Sequence, residues 1–381
     1  MARDALVSGL AFFAAVAANT RAAALGSKML CVNHSPLYDS HPLIDHRPNF
    51  NKFLITITPS FSLLSMKVSL LSCLLLMPLA VFSQQSNFPK ELSITKAAFA
   101  TMILSGSPDF LATDDDDVWV LNTGRVEKLS VRSDKPVISV SIPGACGALI
   151  TGFNSLWVAS CNEQSVYRVD KKNGKILSVI PCKISDSSGE IMLAIGDGSL
   201  WVLSDSLGVL TRINPQTNTI QKTITVLPDS HCAVYGFNAL WITNTAANSV
   251  QRIDPKTNSV AATIRVGKSP RFLAAGENGV WTLNQGDGTV SRINPKQNRV
   301  VAVVETKVPG SGGDIATGAG RVWVRAKKGR FLQAINPIFN TVKTIYTPVS
   351  GSGAVRVTKH FVWVTAHDVN TIWILNNTTI W

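Results

Sequence analysis

Short apolar runs centred on a tryptophan recur along the C-terminal three quarters of the chain. Seven tryptophans, each between an apolar residue and a Val, Ile or Thr, lie 38 to 44 residues apart: Trp119, Trp157, Trp201, Trp241, Trp281, Trp323 and Trp363. A second short apolar run follows each of them about a dozen residues later. A period near 40 residues with one aromatic mark per unit is typical of blade-by-blade β architectures.

The unit around Trp281 shows how the pattern predicts four strands. Apolar or alternating runs cover residues 270–275, 280–283, 289–293 and 299–304, and turns rich in Gly, Asn and Pro separate them. Alternation of polar and apolar residues is typical of half-buried strands. The other units repeat this plan. We therefore predict an all-β fold, a seven-bladed β-propeller with four-stranded antiparallel blades, over residues 90–381.

Some polar residues also recur from unit to unit. Arg168, Arg212 and Arg252 occupy the same place on the third strand, and an Asx-Pro turn follows in most units. Because these residues recur in nearly every blade, we interpret the arginines as strand-face residues and the Asx-Pro pairs as turn formers. We interpret the tryptophans as packing between blades.

The two ends of the repeat region predict how the ring closes. The last unit stops early, near residues 376–381, whereas residues 92–103 form an unattached apolar segment ahead of the first unit. We predict that this segment is an outer strand that joins the C-terminal blade, so that no long sheet edge is left exposed.

The first 83 residues do not fit the repeat. Met66-Lys67 begins a basic segment, residues 70–81 are nearly all apolar, and a candidate cleavage site at residues 80–83 precedes Gln84-Gln85. This layout predicts a secretory signal peptide near 66–83, too short to be a comfortable transmembrane anchor. Because residues 1–24 show a similar pattern, we hypothesise that translation starts at Met66 and that 1–65 is an upstream extension. Either signal predicts a secreted or periplasmic protein.

The charge of the chain narrows the choice of partners. The formal net charge is +12, but the cations are spread thinly along the repeats, with no dense block beyond Lys327-Lys328. Scattered cations favour a soluble exported protein with a basic rim over a nucleic-acid-binding protein. We expect a monomer that binds a small molecule or a cell-envelope component.

Candidate site residues lie on one set of loops. In this architecture the loops from strand four to strand one, and from strand two to strand three, emerge on the same face around the central channel, and we expect function there. The first loop set places ionisable residues from five blades at the channel mouth: Asp109, Glu190, His231, Arg271 and Asp314. The second loop set adds further polar residues: Glu163, Asp205, Asn244, Asn284, Gln285, Asp287, Arg325, Lys327, His367 and Asp368.

Arg356 departs from the inner-strand pattern. The corresponding positions of the other blades carry small or aliphatic residues: Ala112, Ile150, Ala194, Val234, Ala274 and Ala316. We expect Arg356 to pair with a neighbouring carboxylate in or beside the channel. As ligand-binding candidates we select the following residues: Asp109, Glu190, Arg271, Asn284, Asp287, Asp314 and Arg356. The alternative to ligand binding is that the mouth of the channel is exposed to solvent, where polar residues are expected in any case.

The cysteines indicate an oxidising compartment. Cys146 and Cys161 lie symmetrically about a hairpin turn at residues 152–155, so a disulfide between them is expected. For Cys182 and Cys232, a second bridge is one reading and a Cys/His zinc site with His231 is the other. No His-x-His, Glu-x-His or Glu-x-x-His spacing occurs in the chain, so the sequence reveals no metal site.

Three segments, 152–159, 252–258 and 281–290, resemble the repeats of virginiamycin B lyase-like proteins and the related YVTN-type propellers of bacteria. The resemblance covers about residues 100–381. It implies a propeller and, in the true lyases, a magnesium-assisted elimination that opens a cyclic depsipeptide with His and Glu close together on one face. Blades used for this reaction carry Glu soon after the Trp, where this chain has other residues: Asn122, Ser204, Asn244, Asn284 and Ala366. No catalytic residue is therefore carried over.

Three functions remain open at this stage. The first is a non-catalytic module that binds a ligand or partner on the loop face. The second is a metal-assisted C–O lyase or lactone-opening hydrolase, in which His231 or His367 is the general base and Mg²⁺ is held by carboxylates such as Glu190, Asp287 or Asp314. The third is DNA binding by the basic rim, against which export and the scattered charge argue.

Overall fold

A computed structural model describes residues 88–182, 192–204, 207–310, 312–327, 330–347 and 351–378. The targeting region expected at 1–83 and the candidate Glu190 lie outside the described residues. The described part forms seven sheets, each with four antiparallel strands, arranged as the blades of a propeller, as the tryptophan period predicts. The inner strand of each blade packs against the inner strands of its neighbours around a central channel.

The first four blades follow one another along the chain, each built from its innermost to its outermost strand. Blade 1 contains β3 Leu111–Asp114, β4 Asp117–Asn122, β5 Arg125–Leu129 and β6 Ile138–Ser141. Blade 2 contains β7 Ala145–Gly152, β8 Ser155–Ser160, β9 Ser165–Asp170 and β10 Ile176–Pro181. Blade 3 contains β11 Met192–Gly196, β12 Ser199–Ser204, β13 Val209–Asn214 and β14 Thr219–Thr225. Blade 4 contains β15 Ser230–Gly236, β16 Ala239–Asn244, β17 Ser249–Asp254 and β18 Ser259–Arg265.

The last three blades follow the same order, and two of them recruit strands from the N-terminal segment. Blade 5 contains β19 Pro270–Gly276, β20 Gly279–Asn284, β21 Thr289–Asn294 and β22 Arg299–Glu305. Blade 6 contains β23 Asp314–Gly318, β24 Arg321–Arg325, β25 Leu332–Asn336 and β26 Thr341–Thr347. Blade 7 contains β27 Val355–Val357, β28 Phe361–Ala366, the 3-10 turn His367–Val369 and β29 Thr371–Asn376. The N-terminal segment contains β1 Lys90–Ser93, the short helix α1 Ile94–Ala97 and β2 Ala98–Ile103.

The N-terminal segment closes the ring, but not as one strand. Strand β2 pairs antiparallel with β29 and is the outermost strand of blade 7, as expected. The remainder of the segment departs from the expectation, because β1 pairs in parallel with β26 and adds a fifth strand to blade 6. Helix α1 makes the turn between the two blades, and its residue Ile94 is completely buried. The segment therefore ties two blades together rather than one.

The seven tryptophans lie between blades and are all completely buried. In blades 2 to 6 the indole N–H donates to the carbonyl of a glycine five residues earlier; Trp201, for example, bonds Gly196 at 3.0 Å. The glycine is needed for close packing, since a Cβ on Gly196 would lie 1.9 Å from the ring of Tyr235 in the next blade. The repeated Trp and Gly are thus bonded within one blade, and Gly196 packs directly against the next blade.

The repeated arginines form a second interblade contact. In blades 2 to 5 the guanidinium lies over the tryptophan of its own blade, with distances of 4.8 to 5.5 Å to the ring centroid. The same group donates to the turn between strands three and four of the next blade; Arg168, for example, bonds the Pro215 carbonyl at 2.7 Å and Asn218 Oδ1 at 3.0 Å. The structural interpretation of these arginines is confirmed.

The structure confirms one of the two disulfides considered from the sequence and contradicts the other. Cys146 and Cys161 form the expected disulfide, with Cα atoms 5.8 Å apart, across β7 and β8. The prediction of a second disulfide between Cys182 and Cys232 is wrong, because both residues are buried thiols. Burial raises the pKa of the Cys182 thiol to about 12. Among the described residues, no helix has the length and apolar character needed to span a membrane.

Candidate functional site

The channel between the inner strands is an apolar cavity of about 440 Å³. All seven inner strands line it, mostly with Ala, Leu, Ile and Val side chains. Asp314 and Arg356 are the charged residues among its lining, and they come from neighbouring blades, 6 and 7. A channel lined mostly by aliphatic side chains with one charged pair differs from the ring of ionisable residues that the sequence suggested, because the described candidates Asp109, His231 and Arg271 are not among its lining residues.

Asp314 is buried and forms an ion pair with the half-buried Arg356. Arg356 Nη1 contacts Asp314 Oδ2, and the same arginine nitrogen donates to the Val355 carbonyl at 2.7 Å. The backbone N–H groups of Ile315 and Val355 donate to the two carboxylate oxygens at 2.8 and 3.1 Å. Burial raises the pKa of Asp314, and Arg356 and these N–H groups offset the rise in part. The expectation that Arg356 pairs with a neighbouring carboxylate is confirmed.

Arg325 is the most deeply buried cation of the loop face. It ends β24 directly opposite Asp314, and its relative exposure is 0%. Its guanidinium donates to backbone carbonyls, to Thr365 at 3.1 and 3.2 Å, to Gly351 at 2.8 Å and to Ala326. The guanidinium carbon lies 3.6 Å from the ring centroid of Phe331. Desolvation lowers the pKa of Arg325 to about 9, against the attraction of Asp109, Asp314 and Asp368, so the group is a cation at neutral pH.

A cavity of about 340 Å³ opens beside Arg325, between blades 5 and 6. One wall is the loop from β22 to β23, and another is the loop that follows β24. Its lining residues are Leu283, Gln285, Lys307, Val308, Pro309, Gly310, Gly312, Gly313, Arg325, Ala326, Lys327 and Arg330. We call it the loop-face cavity. It combines four cations with a glycine-rich segment and an apolar patch.

Asn284 and Asp287 form hydrogen bonds that stabilise the local turn. The Asn284 amide is completely buried and donates to the hydroxyls of Thr289 and Ser291, both at 2.9 Å. Asp287 is exposed but accepts bonds from the Lys268 N–H at 2.7 Å and the Thr289 hydroxyl at 2.7 Å. These bonds hold the turn between β20 and β21 against the preceding loop. Their ligand-binding role stays a prediction.

Asp109 and Arg271 lie at the starts of inner strands, as expected. The Asp109 N–H donates to the Leu121 carbonyl at 2.9 Å, and its carbonyl accepts a bond from the Thr365 hydroxyl at 2.8 Å. The Arg271 carbonyl accepts a bond from the Thr243 hydroxyl at 2.8 Å. Both residues are half-buried, and their ligand-binding role is likewise not tested by this geometry.

The two candidate general bases have different surroundings. His231 is 4% exposed and packs edge-on against Phe272, with ring centroids 5.3 Å apart. His367 is half-buried at the start of the 3-10 turn in blade 7, and its Nδ1 contacts Asp368 Oδ1. The environment of His231 suits core packing, whereas that of His367 suits an accessible group.

Sequence reasoning noted Gln285, Arg325 and Lys327 but did not select them, and it missed Lys307, Arg330 and the glycines between them. A usable signal was present: the position two residues after the Trp carries Leu, Ala or Thr in the other six blades and Arg in blade 6. A glycine-rich insertion at 309–313, preceded by Lys307, was a second signal. Within the described ranges, no group of three or more His, Cys, Asp or Glu side chains could hold a metal ion.

Comparison of the sequence with protein-family models and with curated proteins found no match. Solved structures do match the fold. A streptogramin B lyase superposes with a TM-score of 0.63 at 16% identity, over 73% of this chain and 96% of that one. A catalytically inactive virginiamycin B lyase from Staphylococcus aureus with quinupristin gives 0.63 at 14% identity, over 73% and 98%. The Neurospora crassa Pan2 WD40 domain gives 0.59 at 12% identity, over 72% and 90%. At these identities the likeness establishes the propeller fold, and function must be argued from the site.

Proposed function

We propose that this protein is a binding module that holds a small molecule or a cell-envelope component on the loop face of its propeller. The observation that carries the proposal is the loop-face cavity, where the repeat is broken by a buried arginine and by an inserted glycine-rich loop. A closed ring of regular blades has no structural need for either feature, and binding residues concentrate on loops that a rigid scaffold positions.

We also propose that the protein works outside the cytoplasm. The disulfide between Cys146 and Cys161 supports this, because such bonds persist in oxidising compartments. The signal-peptide pattern near 66–83 is the second support. Mass spectrometry of the mature N-terminus is the direct measurement: a protein beginning near residue 84 is expected, and an N-terminus that retains Met66 contradicts cleavage there.

Crystals soaked with a library of neutral and charged fragments test the binding function. We expect bound fragments to concentrate in the loop-face cavity rather than on the face formed by the turns between strands one and two and between strands three and four. Fragments spread equally over both faces, or absent from the cavity, would contradict the proposal. A fragment-sized ligand suits a pocket of about this volume.

A second candidate is a lyase or lactone-opening activity on a cyclic ester. The likeness in fold to streptogramin B lyases favours it, together with the half-buried His367 on the loop face, whose Nδ1 contacts Asp368 Oδ1. A histidine beside a carboxylate is a candidate general base. The described residues do not fit the Mg²⁺ that such a reaction implies: Asp314 is paired with Arg356, and Asp287 accepts bonds from the Lys268 N–H and the Thr289 hydroxyl. We therefore derive no step through a metal.

Cleavage of quinupristin distinguishes the two candidates. The binding proposal expects no ring opening above the rate without protein, measured by mass spectrometry with and without Mg²⁺. Ring opening that is lost in His367→Ala and kept in His360→Ala would establish the second candidate instead. His360 of blade 7 is a matched control because it also contacts an aspartate, Asp116 of blade 1, but on the opposite face.

A further inference from the structure

The loop-face cavity carries a strong positive charge. We propose that it binds a multivalent oxyanion, phosphate or sulfate, either as the free ion or as the ester of a small organic molecule. This inference rests on the proposed binding function and names the class of ligand.

The first argument is charge. Lys307, Arg325, Lys327 and Arg330 line the cavity, and its described lining contains no Asp or Glu. Arg325 supplies a buried positive charge whose hydrogen bonds all go to neutral backbone carbonyls. Asp109, Asp314 and Asp368 attract this cation, but none of them is among its described hydrogen-bond partners. A buried cation without an anion in direct contact is unfavourable. An anion in the adjacent cavity stabilises it, and oxyanions are the partners that lysine and arginine bind with charge-assisted hydrogen bonds.

The second argument is an unused neutral donor. Gln285 lines the cavity and is 8% exposed, and its Nε2 has no hydrogen-bond partner among the described residues. Leaving a buried amide N–H group unpaired is costly, so the group is best explained by a bound acceptor. An oxygen of a phosphate or sulfate group is such an acceptor.

The third argument is the backbone of the inserted loop. Gly310 and Gly312 have φ angles of 110° and 81°, which glycine adopts without strain. A Cβ on Gly313 would lie 2.4 Å from the Arg325 carbonyl oxygen, so glycine brings this loop directly against the arginine. The Gly310 N–H donates to the Gln285 carbonyl at 2.8 Å, so Gly312 and Gly313 are the positions where the lack of a side chain lets an anion approach the backbone closely.

The fourth argument is size and surface. Pockets for small molecules span about 300 to 1,000 Å³, and this cavity of about 340 Å³ falls in that range. Leu283, Val308, Pro309 and Ala326 give it an apolar wall next to the cations. That wall suits the organic part of an ester, so phenyl phosphate is an appropriate probe beside inorganic phosphate and sulfate.

Isothermal titration calorimetry at constant ionic strength tests the proposal, with phenyl phosphate, inorganic phosphate, sulfate and benzyl alcohol as ligands. The test variant is Lys307→Gln with Lys327→Gln, which removes two exposed charges and leaves Arg325 in place. The control is Lys256→Gln with Lys296→Gln, which removes the same charge from exposed turns between strands three and four on the opposite face. Loss of two charge-assisted contacts weakens binding by about tenfold or more.

We expect anion binding that falls by that factor in the test variant and stays within about twofold in the control. Phenyl phosphate binding more tightly than both inorganic ions identifies an ester, and equal affinities identify a free ion. Absence of anion binding up to millimolar concentration, or equal weakening by both variants, overturns the proposal. Neutral fragments that occupy the cavity while phosphate does not bind overturn the anion proposal alone. An empty cavity in both experiments overturns the binding function as well.

Discussion

Arg212 lies over the indole of Trp201, with its guanidinium carbon 4.8 Å from the ring centroid. The guanidinium also donates to Ser199 Oγ at 2.8 Å in its own blade and to the Pro255 carbonyl at 2.6 Å and Asn258 Oδ1 at 3.0 Å in the next. One side chain therefore joins the second strand of blade 3 to the outer turn of blade 4. This contact between neighbouring blades explains why the arginine recurs in four blades.

Replacement of Arg212 by alanine is expected to destabilise the ring by about 2 to 4 kcal/mol, since it removes a cation–π contact and several charge-assisted hydrogen bonds. Arg212→Lys keeps the charge but lacks the planar guanidinium that bonds several acceptors at once, so an intermediate loss of stability is expected. Equilibrium urea denaturation measures both. The exposed Arg299, which bonds Gln297 alone at 2.9 Å, provides the control variant Arg299→Ala, expected to change stability by less than about 0.5 kcal/mol. Equal losses at the two positions would argue against an interblade role.

The ion pair between buried Asp314 and half-buried Arg356 gives a pH-dependent prediction. Because burial raises the folded-state pKa of Asp314 above its ordinary 3.8, the stability linked to its protonation is present below that value and is lost as pH rises through the folded-state pKa. Arg356→Leu removes the main opposing charge and raises this pKa further. Relative to wild type, we expect a small loss of stability near pH 4 and a loss of about 3 kcal/mol at pH 7.

The double variant Asp314→Asn with Arg356→Leu separates the charge from the packing. A buried pair replaced as a whole is often nearly neutral, so the double variant is expected within about 1 kcal/mol of wild type at both pH values. Urea denaturation at pH 4 and pH 7 measures all three proteins. A pH-independent loss in Arg356→Leu would show that its aliphatic stem, rather than its charge, is what the fold needs.

The disulfide between Cys146 and Cys161 closes a loop of 15 residues. Chain-entropy arguments assign about 3 kcal/mol to a loop of this length. Replacement of both residues by alanine is therefore expected to lower the free energy of unfolding by about that amount. The control is Cys182→Ala, which measures the loss of one buried thiol without a bond. Non-reducing peptide mapping checks the pairing itself, and an alkylated Cys146 in native, unreduced protein would contradict it.

The fold could be predicted from the sequence because it depends on a repeated local pattern. Trp201 with its preceding Gly196 and facing Arg212 specifies the same packing in unit after unit, so period and strand number follow directly. Arg356 was recognisable for the same reason, since it breaks that pattern. The loop-face cavity was not predictable in this way. Lys307 and Arg330 lie in loops outside the repeat, and their proximity to Arg325 depends on how two blades meet.

The N-terminal segment was also only half predictable. Its apolar character indicated an outer strand, and β2 is one. Parallel pairing of β1 with blade 6 has no signature in the alternation of residues, since a parallel and an antiparallel edge accept the same four-residue pattern. What distinguishes them is the turn at α1, where buried Ile94 fixes the chain against blades 6 and 7.

Truncations measure what each N-terminal strand contributes to closure. A chain that begins at Ile94 lacks β1 but keeps β2, and a small loss on the order of 2 kcal/mol is expected, because four pairs of an edge strand are removed. A chain that begins at Ser105 also lacks β2. Strand β29 is then an open edge, and the surface that the buried Met102 of β2 covers becomes exposed. An unpaired edge of this kind promotes association, so aggregation or no folded monomer is expected.

Addition of a synthetic peptide covering residues 94–104 should restore the monomer by strand addition, seen by size-exclusion chromatography and circular dichroism. A stable monomer of the shorter chain without the peptide would show that the ring holds without its closing strand.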